Sequence, residues 1–326
     1  MAPPRRAGSH RLRDIAEQSG LSAATVDRVL HGRTGASARA VRAVEQAVLD
    51  LDRQQAQLRL AARTLMLDVV MQAPVRFSTA VRQALEAELP GARPAAVRAR
   101  FHLRESADVP AAVAVLDAIG TRGRTSHGVL LKAPDHPEVA NASRRLRERG
   151  VPVVTLVTDV RDSGRIAYVG LDNAAAGSTA AYLVSQWLDG REGEVLLTLS
   201  RSSFFGEWER ADAFMQALAR LDPGRQVVTV SDSDGLDETM GVLVAEALAA
   251  RRCRPFVGHD LDDDNLDLLR TGSLTAVLHH DLHADMRRAM RQVLRHHHLL
   301  PGAPTSVAAN VEVVTPYNVP ARMLPR

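Results

Sequence analysis

The 326 residues are 45% apolar and 24% charged, enough apolar mass for two or three domains, and no run of eighteen apolar residues could cross a membrane. One cysteine, Cys253, excludes an internal disulfide and fits a reducing compartment. The net charge of +3 is unevenly spread: residues 1–65 hold 11 arginines against six carboxylates, a balance of +5 that leaves −2 for the rest, as in a nucleic-acid-binding module joined to a separate body.

The first 14 residues carry basic side chains with no apolar stretch after them, so no secretory signal is read there and a cytoplasmic protein is expected. The stretch 14–33, DIAEQSGLSAATVDRVLHGR, then predicts two short helices joined at Gly20. Ser22 is placed to cap the second helix, and Val26, Val29 and Leu30 give it one buried face. Ala23, Ala24, Asp27 and Arg28 lie opposite. Small residues at a helix start, with an arginine one turn on, suit insertion into a DNA major groove; an ordinary helical hairpin has the same periodicity. Ser37 is placed to cap a third helix running to about Leu51, with Val41, Val44, Val48 and Leu51 on its apolar face. The next segment, DRQQAQLRLAARTL, is polar, arginine-rich and made of good helix formers.

From Leu67 the pattern alternates. Strands are expected at 67–73, 95–103, 128–134, 151–159 and 166–173, with helices at about 76–89, 107–121, 136–149 and 174–188. A second set follows, with strands at 194–200, 226–232, 254–260 and 274–280, helices at about 206–220, 236–251, 262–270 and 284–299, and a last strand at 310–318. This alternation implies an α/β protein with two lobes of doubly wound parallel sheet and a cleft at the strand ends, where ligands bind.

The helix pair resembles the headpiece of the lactose-repressor family of bacterial transcription regulators. Its DIAxxxGxSxxTVxRVLxG pattern is met by Asp14, Ile15, Ala16, Gly20, Ser22, Thr25, Val26, Arg28, Val29, Leu30 and Gly32. The resemblance implies a helix-turn-helix headpiece over 1–52, a hinge over 53–66 and a two-lobed effector-binding body over 67–326. It further implies operator DNA as a partner, a small polar effector such as a sugar or polyol, and a homodimer. Ser22, Ala23, Ala24, Thr25, Asp27, Arg28 and His31 form the DNA-facing set, with Arg28 reading a base and Ser22 and Thr25 positioning on phosphates. Asp27 stands where the family usually has serine; its carboxylate can accept from cytosine N4 or pair with Arg28. Gln54 and Gln55 replace the family's Pro-Asn before the hinge, and Leu58, Leu60 and Leu65 are the candidate minor-groove wedges.

The body resembles the family's periplasmic-binding-protein-like domain. Asp172, Asn173, Ala176 and Gly177 match its DN..AG segment, Arg210 and Phe214 its R...F helix, and 258–260, GHD, its GFD. Arg210, a rigid fork of donors, leads the effector-site candidates. Asp260, Asp172, Asn173, Asp159 and Asp281 follow, each also placed to cap a helix or end a strand. After Ala250 the family would place a further strand and helix; their absence predicts a second lobe lacking one βα unit, with the strands 194–200 and 254–260 drawn together or left with a gap. The histidines of HHDLH (279–283) and HHH (296–298) do not have the convergence a metal site needs. No cofactor is expected, and no order of nucleophile, base and orienting group suggests an enzyme.

Overall fold

The computed structural model describes residues 10–61, 63–105, 108–199, 204–231 and 255–323. They fall into two compact units, Met1–Thr64 with Arg93–Ala96, and Leu65–Ala92 with Val97–Arg326.

The first unit is built on three helices, α1 (Leu12–Ser19), α2 (Ala23–Leu30) and α3 (Ala38–Ala61). Gly20 ends α1 in the left-handed conformation, φ 67°, which a glycine adopts without steric cost. The Ser22 hydroxyl accepts the Thr25 amide at 3.2 Å and so caps α2. Ser37 does the same for α3 through the Ala40 amide at 3.1 Å. Ile15, Val26, Val44 and Ala47 form the buried centre, with Val29, Leu30, Val48 and Leu51 packed against it. Where the sequence suggests a helix ending near Leu51 and a separate one beyond, α3 runs unbroken through Ala61. The glutamines at 54 and 55 are good helix formers and leave nothing to stop it. Of the three wedge candidates, Leu65 is buried in a strand of the second unit and is unavailable to DNA. The side chains of Leu58 and Leu60 lie outside the described residues.

The second unit opens with β1 (Thr64–Gln72), α4 (Val75–Glu88), β2 (Ala96–Arg104), α5 (Val109–Ala118), β3 (Gly128–Lys132), α6 (Pro137–Glu148), β4 (Val153–Leu156) and β5 (Ala167–Leu171). With β10 (Val307–Ala309) they form one six-stranded sheet in the order β10-β5-β4-β3-β1-β2. All five residues of β3 and all four of β4 are buried, as expected of parallel strands covered on both faces. Leu116, Leu131, Leu146 and Val153 fill the space under α5 and α6.

The second lobe holds α7 (Asn173–Leu188), β6 (Val195–Leu199), α8 (Phe205–Leu221), β7 (Val227–Ser231), β8 (Val257–His259), α9 (Asp263–Arg270), β9 (Ala276–His279), α10 (Leu282–His296) leading back to the first lobe, and β11 (Glu312–Val314). A doubly wound parallel sheet lacking one βα unit is expected here, its strands 194–200 and 254–260 drawn together or left with a gap. Among the described residues the strands form two sheets, a parallel pair β6-β7 and a triplet β11-β9-β8 with β11 antiparallel. No ladder joins β6 to β8 among them, although Val257 of β8 packs against the cluster holding Val195, Val184 and Phe214. Of the strand expected at 310–318 only Glu312–Val314 forms, as β11 in the second lobe, and β10, just before that range at Val307–Ala309, completes the sheet of the first lobe. The helix expected at 236–251 and Cys253 lie outside the described residues.

Candidate functional site

In the three-helix unit, Ser22, Ala23, Ala24 and His31 are exposed, and Thr25, Asp27 and Arg28 are half-buried. Ala24, Asp27, Arg28 and His31 recur at the spacing of one helix face. Asp27 does not pair with Arg28. Its carboxylate accepts from Arg33 at 3.0 Å and lies 3.0 Å from His31 Nδ1, so its charge is met from the C-terminal side of α2. The Ser22 and Thr25 hydroxyls bond each other at 2.9 Å.

In the body, a cleft lies between the start of α4 in the first lobe and the ends of β8 and β9 in the second. Of the six effector-site candidates, three converge. Arg210, in the second turn of α8, donates through Nη2 to the Asn173 amide oxygen at 3.0 Å. Asn173 is 3% exposed and donates in turn to the Val157 carbonyl at 3.3 Å. Arg210 Nε is buried with no hydrogen-bond partner among the described residues. Burial lowers the Arg210 pKa, opposed by the nearby charges of Asp260 and Glu207. Asp260 follows β8 with φ 61°, a left-handed conformation that few side chains adopt. Its Oδ1 lies 3.4 Å from His259 Nε2 and 3.9 Å from His280 Nε2. Burial alone would raise its pKa; His259, His280 and Arg210 together outweigh burial and bring it down to about 2.

The other three are occupied locally. Asp159 accepts from Thr155 Oγ1 at 2.7 Å, from its neighbour's amide at 2.9 Å and from Arg165 Nε at 2.6 Å. Asp172 caps α7 through the Ala175 amide at 2.8 Å. Asp281 caps α10 through the Ala284 amide at 3.1 Å.

Residues not singled out from sequence join the two lobes nearby or line the recess. Lys132, at the end of β3 and 7% exposed, donates to the Gln72 carbonyl at 3.2 Å. Its ammonium sits 3.7 Å from the ring centre of Phe204, at the start of α8 in the other lobe, and 5.9 Å from that of Phe77. It is the chain's only lysine among 41 basic residues, a signal visible in the sequence once burial at a strand end is weighed. Thr158 reaches across to accept the Gly206 amide at 2.9 Å, and Arg161 lies over Phe205 at 4.8 Å. His280, 1% exposed, is held by Asp285 through Nδ1 at 2.6 Å, while its Nε2 is buried with no hydrogen-bond partner among the described residues. A recess of about 300 Å³, part of it open solvent, is lined by Phe77, Asp260, Leu261, His279, His280 and Leu282. Burial, and then the charge of Arg210, lowers the His259 pKa to about 3.

Among the described residues, no three or more His, Cys, Asp or Glu side chains are arranged to hold a metal ion. His283 pairs with Glu88 at 3.3 Å, and His297 Nε2 lies 2.6 Å from the His127 carbonyl. No described helix is long and apolar enough to cross a membrane.

Comparison with known proteins agrees with this architecture. No curated protein sequence matches the chain. A solute-binding protein of an ABC transporter from Burkholderia graminis, in complex with D-arabinose, has 21% identity and a TM-score of 0.68, covering 77% of this chain and 95% of its own. The myo-inositol binding protein of Caulobacter has 19% identity and a TM-score of 0.64, covering 77% and 93%. A protein described as a putative LacI transcriptional regulator from Bacteroides fragilis has 15% identity and a TM-score of 0.66, covering 78% and 97%. At these identities the likeness is of fold alone. Residues 69–250 match the model of the periplasmic binding protein domain, more than half of the chain, and the chain belongs to that family.

Proposed function

We propose that this chain is a sequence-specific DNA-binding regulator whose two-lobed body binds a sugar or polyol. The observation that carries the DNA half is the capped helix pair: α2 starts at Ser22, keeps Val26 in the core and presents Ala23, Ala24, Arg28 and His31 outward, in a unit with a positive balance of charge. Phosphate contacts from Ser22 and Thr25 would set the register, and Arg28 would read a guanine edge. A homodimer on a two-fold operator, in the cytoplasm, follows from one helix pair reading one half-site. Mobility shifts of the full chain against genomic fragments test this; binding without sequence preference at physiological salt overturns it.

The ligand half is supported by the cleft, where Asp260, His279 and His280 offer polar groups beside Phe77 and Arg210 lies in the field of Asp260, and by relatives of the same fold seen with D-arabinose and myo-inositol. Those relatives favour a second reading, a solute-binding protein with no role on DNA. Calorimetry against both compounds, alongside the mobility shifts, separates the two.

The absence of one βα unit after Ala250 belongs to the same proposal. The family match stops at residue 250, and β6 and β8, which that unit would separate, share no ladder among the described residues. A regulator that binds DNA but no longer answers a ligand is the consequence if the cleft is compromised.

A further inference from the structure

His280 is 1% exposed, yet it lines the recess that holds Phe77 and Asp260. Its Nδ1 lies 2.6 Å from Asp285 Oδ2, and the other oxygen of that carboxylate accepts from Arg288 at 2.9 Å. A carboxylate bonded to a guanidinium is ionised and can only accept, so the imidazole carries its proton on Nδ1. In the neutral ring Nε2 is then a bare acceptor. It is buried with no hydrogen-bond partner among the described residues. A buried acceptor left without a donor costs free energy, which a ligand supplying that donor returns.

Asp260 lines the same recess, with Oδ1 3.9 Å from His280 Nε2. Its backbone is fixed on both sides. The amide donates to the Leu278 carbonyl at 3.0 Å, and the carbonyl accepts from Asn265 Nδ2 at 2.7 Å. His259 Nε2 lies 3.4 Å from the same carboxylate oxygen. Charge around the recess is balanced: Arg76 pairs with Asp262, Arg288 with Asp285, and Arg210 lends its field to Asp260. The recess is short of donors, not of charge. Phe77, Ala80, Leu261 and Leu282 give it apolar walls.

Given the small-ligand reading of the cleft, on which this rests, we infer that the recess takes a vicinal diol of a neutral polyol, one hydroxyl donating to Asp260 Oδ1 and its neighbour to His280 Nε2. A single hydroxyl has one proton and serves only one of these acceptors, whereas two on adjacent carbons serve both. The carbon skeleton lies against Phe77 and the leucines. His280 is the specificity-determining residue. Asp285, which touches no ligand, is the positioning residue that keeps Nε2 free of a proton.

The tautomer and the ligand are tested separately, on the full chain at pH 8, above the ordinary imidazole pKa of about 6.5. Nitrogen-15 NMR is expected to show the His280 ring protonated on Nδ1 and bare on Nε2. Asp285→Asn, whose amide can donate to Nδ1, is expected to bring in the opposite tautomer and to weaken ligand binding. In calorimetry myo-inositol or D-arabinose is expected to bind, and His280→Phe, which keeps a ring without an acceptor, to weaken binding at least about tenfold. His280→Gln restores an acceptor and is expected to recover part of that loss. A proton on Nε2 in the unaltered chain overturns the diol inference whatever binds, so the test stands even if a variant does not fold. Affinities unmoved by His280→Phe, or binding of D-glucosamine and of neither neutral compound, overturns it and leaves the small-ligand reading in place. No binding of any of the three overturns both.

Discussion

Arg210 and Asn173, thirty-seven residues apart, meet through a single hydrogen bond of 3.0 Å from guanidinium to amide oxygen. The bond can form because α7 and α8 lie almost backbone to backbone one turn further on. A Cβ on Gly177 would fall 2.0 Å from the Arg210 carbonyl oxygen and 2.9 Å from the Phe214 amide nitrogen.

Gly177→Ala is therefore expected to run against the usual order. A glycine inside a helix normally costs about 1 kcal/mol relative to alanine. Here the added methyl meets backbone that has no rotamer to change, and overpacking of this kind costs about 1–3 kcal/mol. Urea titration of the body would show a lower midpoint for the alanine variant. An unchanged or higher midpoint would mean the two helices can part freely.

Acid is expected to weaken the body. His259 has a folded pKa of about 3 against an ordinary 6.5, so the unfolded chain binds the extra proton between those values and stability falls as pH drops from about 6.5 toward 3. Asp260 acts in the same direction lower down, because its folded pKa of about 2 lies below the ordinary 3.8 and its contribution is lost between them. Urea midpoints at pH 7.5 and 5 would show the drop, and His259→Gln is expected to shrink it. A pH-independent midpoint across that range would rule out a buried neutral imidazole at 259.

Much of this was legible in the sequence. The Ser22 cap, the Gly20 turn and the order of strands and helices through Leu221 follow from local chemistry and periodicity, which neighbours in sequence decide. Arg210, Asn173 and Asp260 could be placed near strand ends or on the right helix by family position. What could not be read was the third dimension. Asp159, Asp172 and Asp281 have the same side chain and the same position at the end of a strand as Asp260, and only tertiary contacts show that the first is held by Arg165 while the other two cap helices. Asp27 was open between two partners, and its partner proved to be Arg33, six residues on and beyond the helix. The placing of β10 at Val307–Ala309, before the expected 310–318, and of β11 on the other lobe depends on which sheet edges are free, a property of the assembled body.

Ser22→Ala is expected to destabilise the three-helix unit by about 1 kcal/mol, since it removes the acceptor for the Thr25 amide at the start of α2. The same change removes the hydroxyl bonded to Thr25 Oγ1. Circular dichroism should show an earlier melting phase, and, on the proposed DNA role, affinity should fall at every sequence alike, because phosphate contacts carry no base preference. A loss confined to one base position would assign Ser22 to base reading instead.

The second lobe is expected to open more readily than the first. In the first lobe β3 is bonded on both sides, to β1 and to β4, and every residue in it is buried. In the second, β6 has β7 as its only ladder partner among the described residues and β8 has only β9, while four of the five β6 residues and all three of β8 are only half-buried. Backbone groups along an unpaired edge must be hydrated or left unsatisfied, and each one buried unsatisfied costs about 1–3 kcal/mol. A strand bonded on one edge therefore exchanges its amides through smaller openings than one bonded on both. Hydrogen exchange is expected to be faster at 195–199 and 257–259 than at 128–132 and 153–156, by at least about tenfold, or 1.4 kcal/mol. If the cleft still binds its ligand, occupancy should slow exchange in the second lobe most, because the contacts from Phe204 to Lys132 and from Gly206 to Thr158 tie α8 to the stronger sheet. Equal exchange in the two lobes without ligand would overturn the loss of a βα unit after Ala250. The lobe would then be closed by pairing that makes its two sheets act as one.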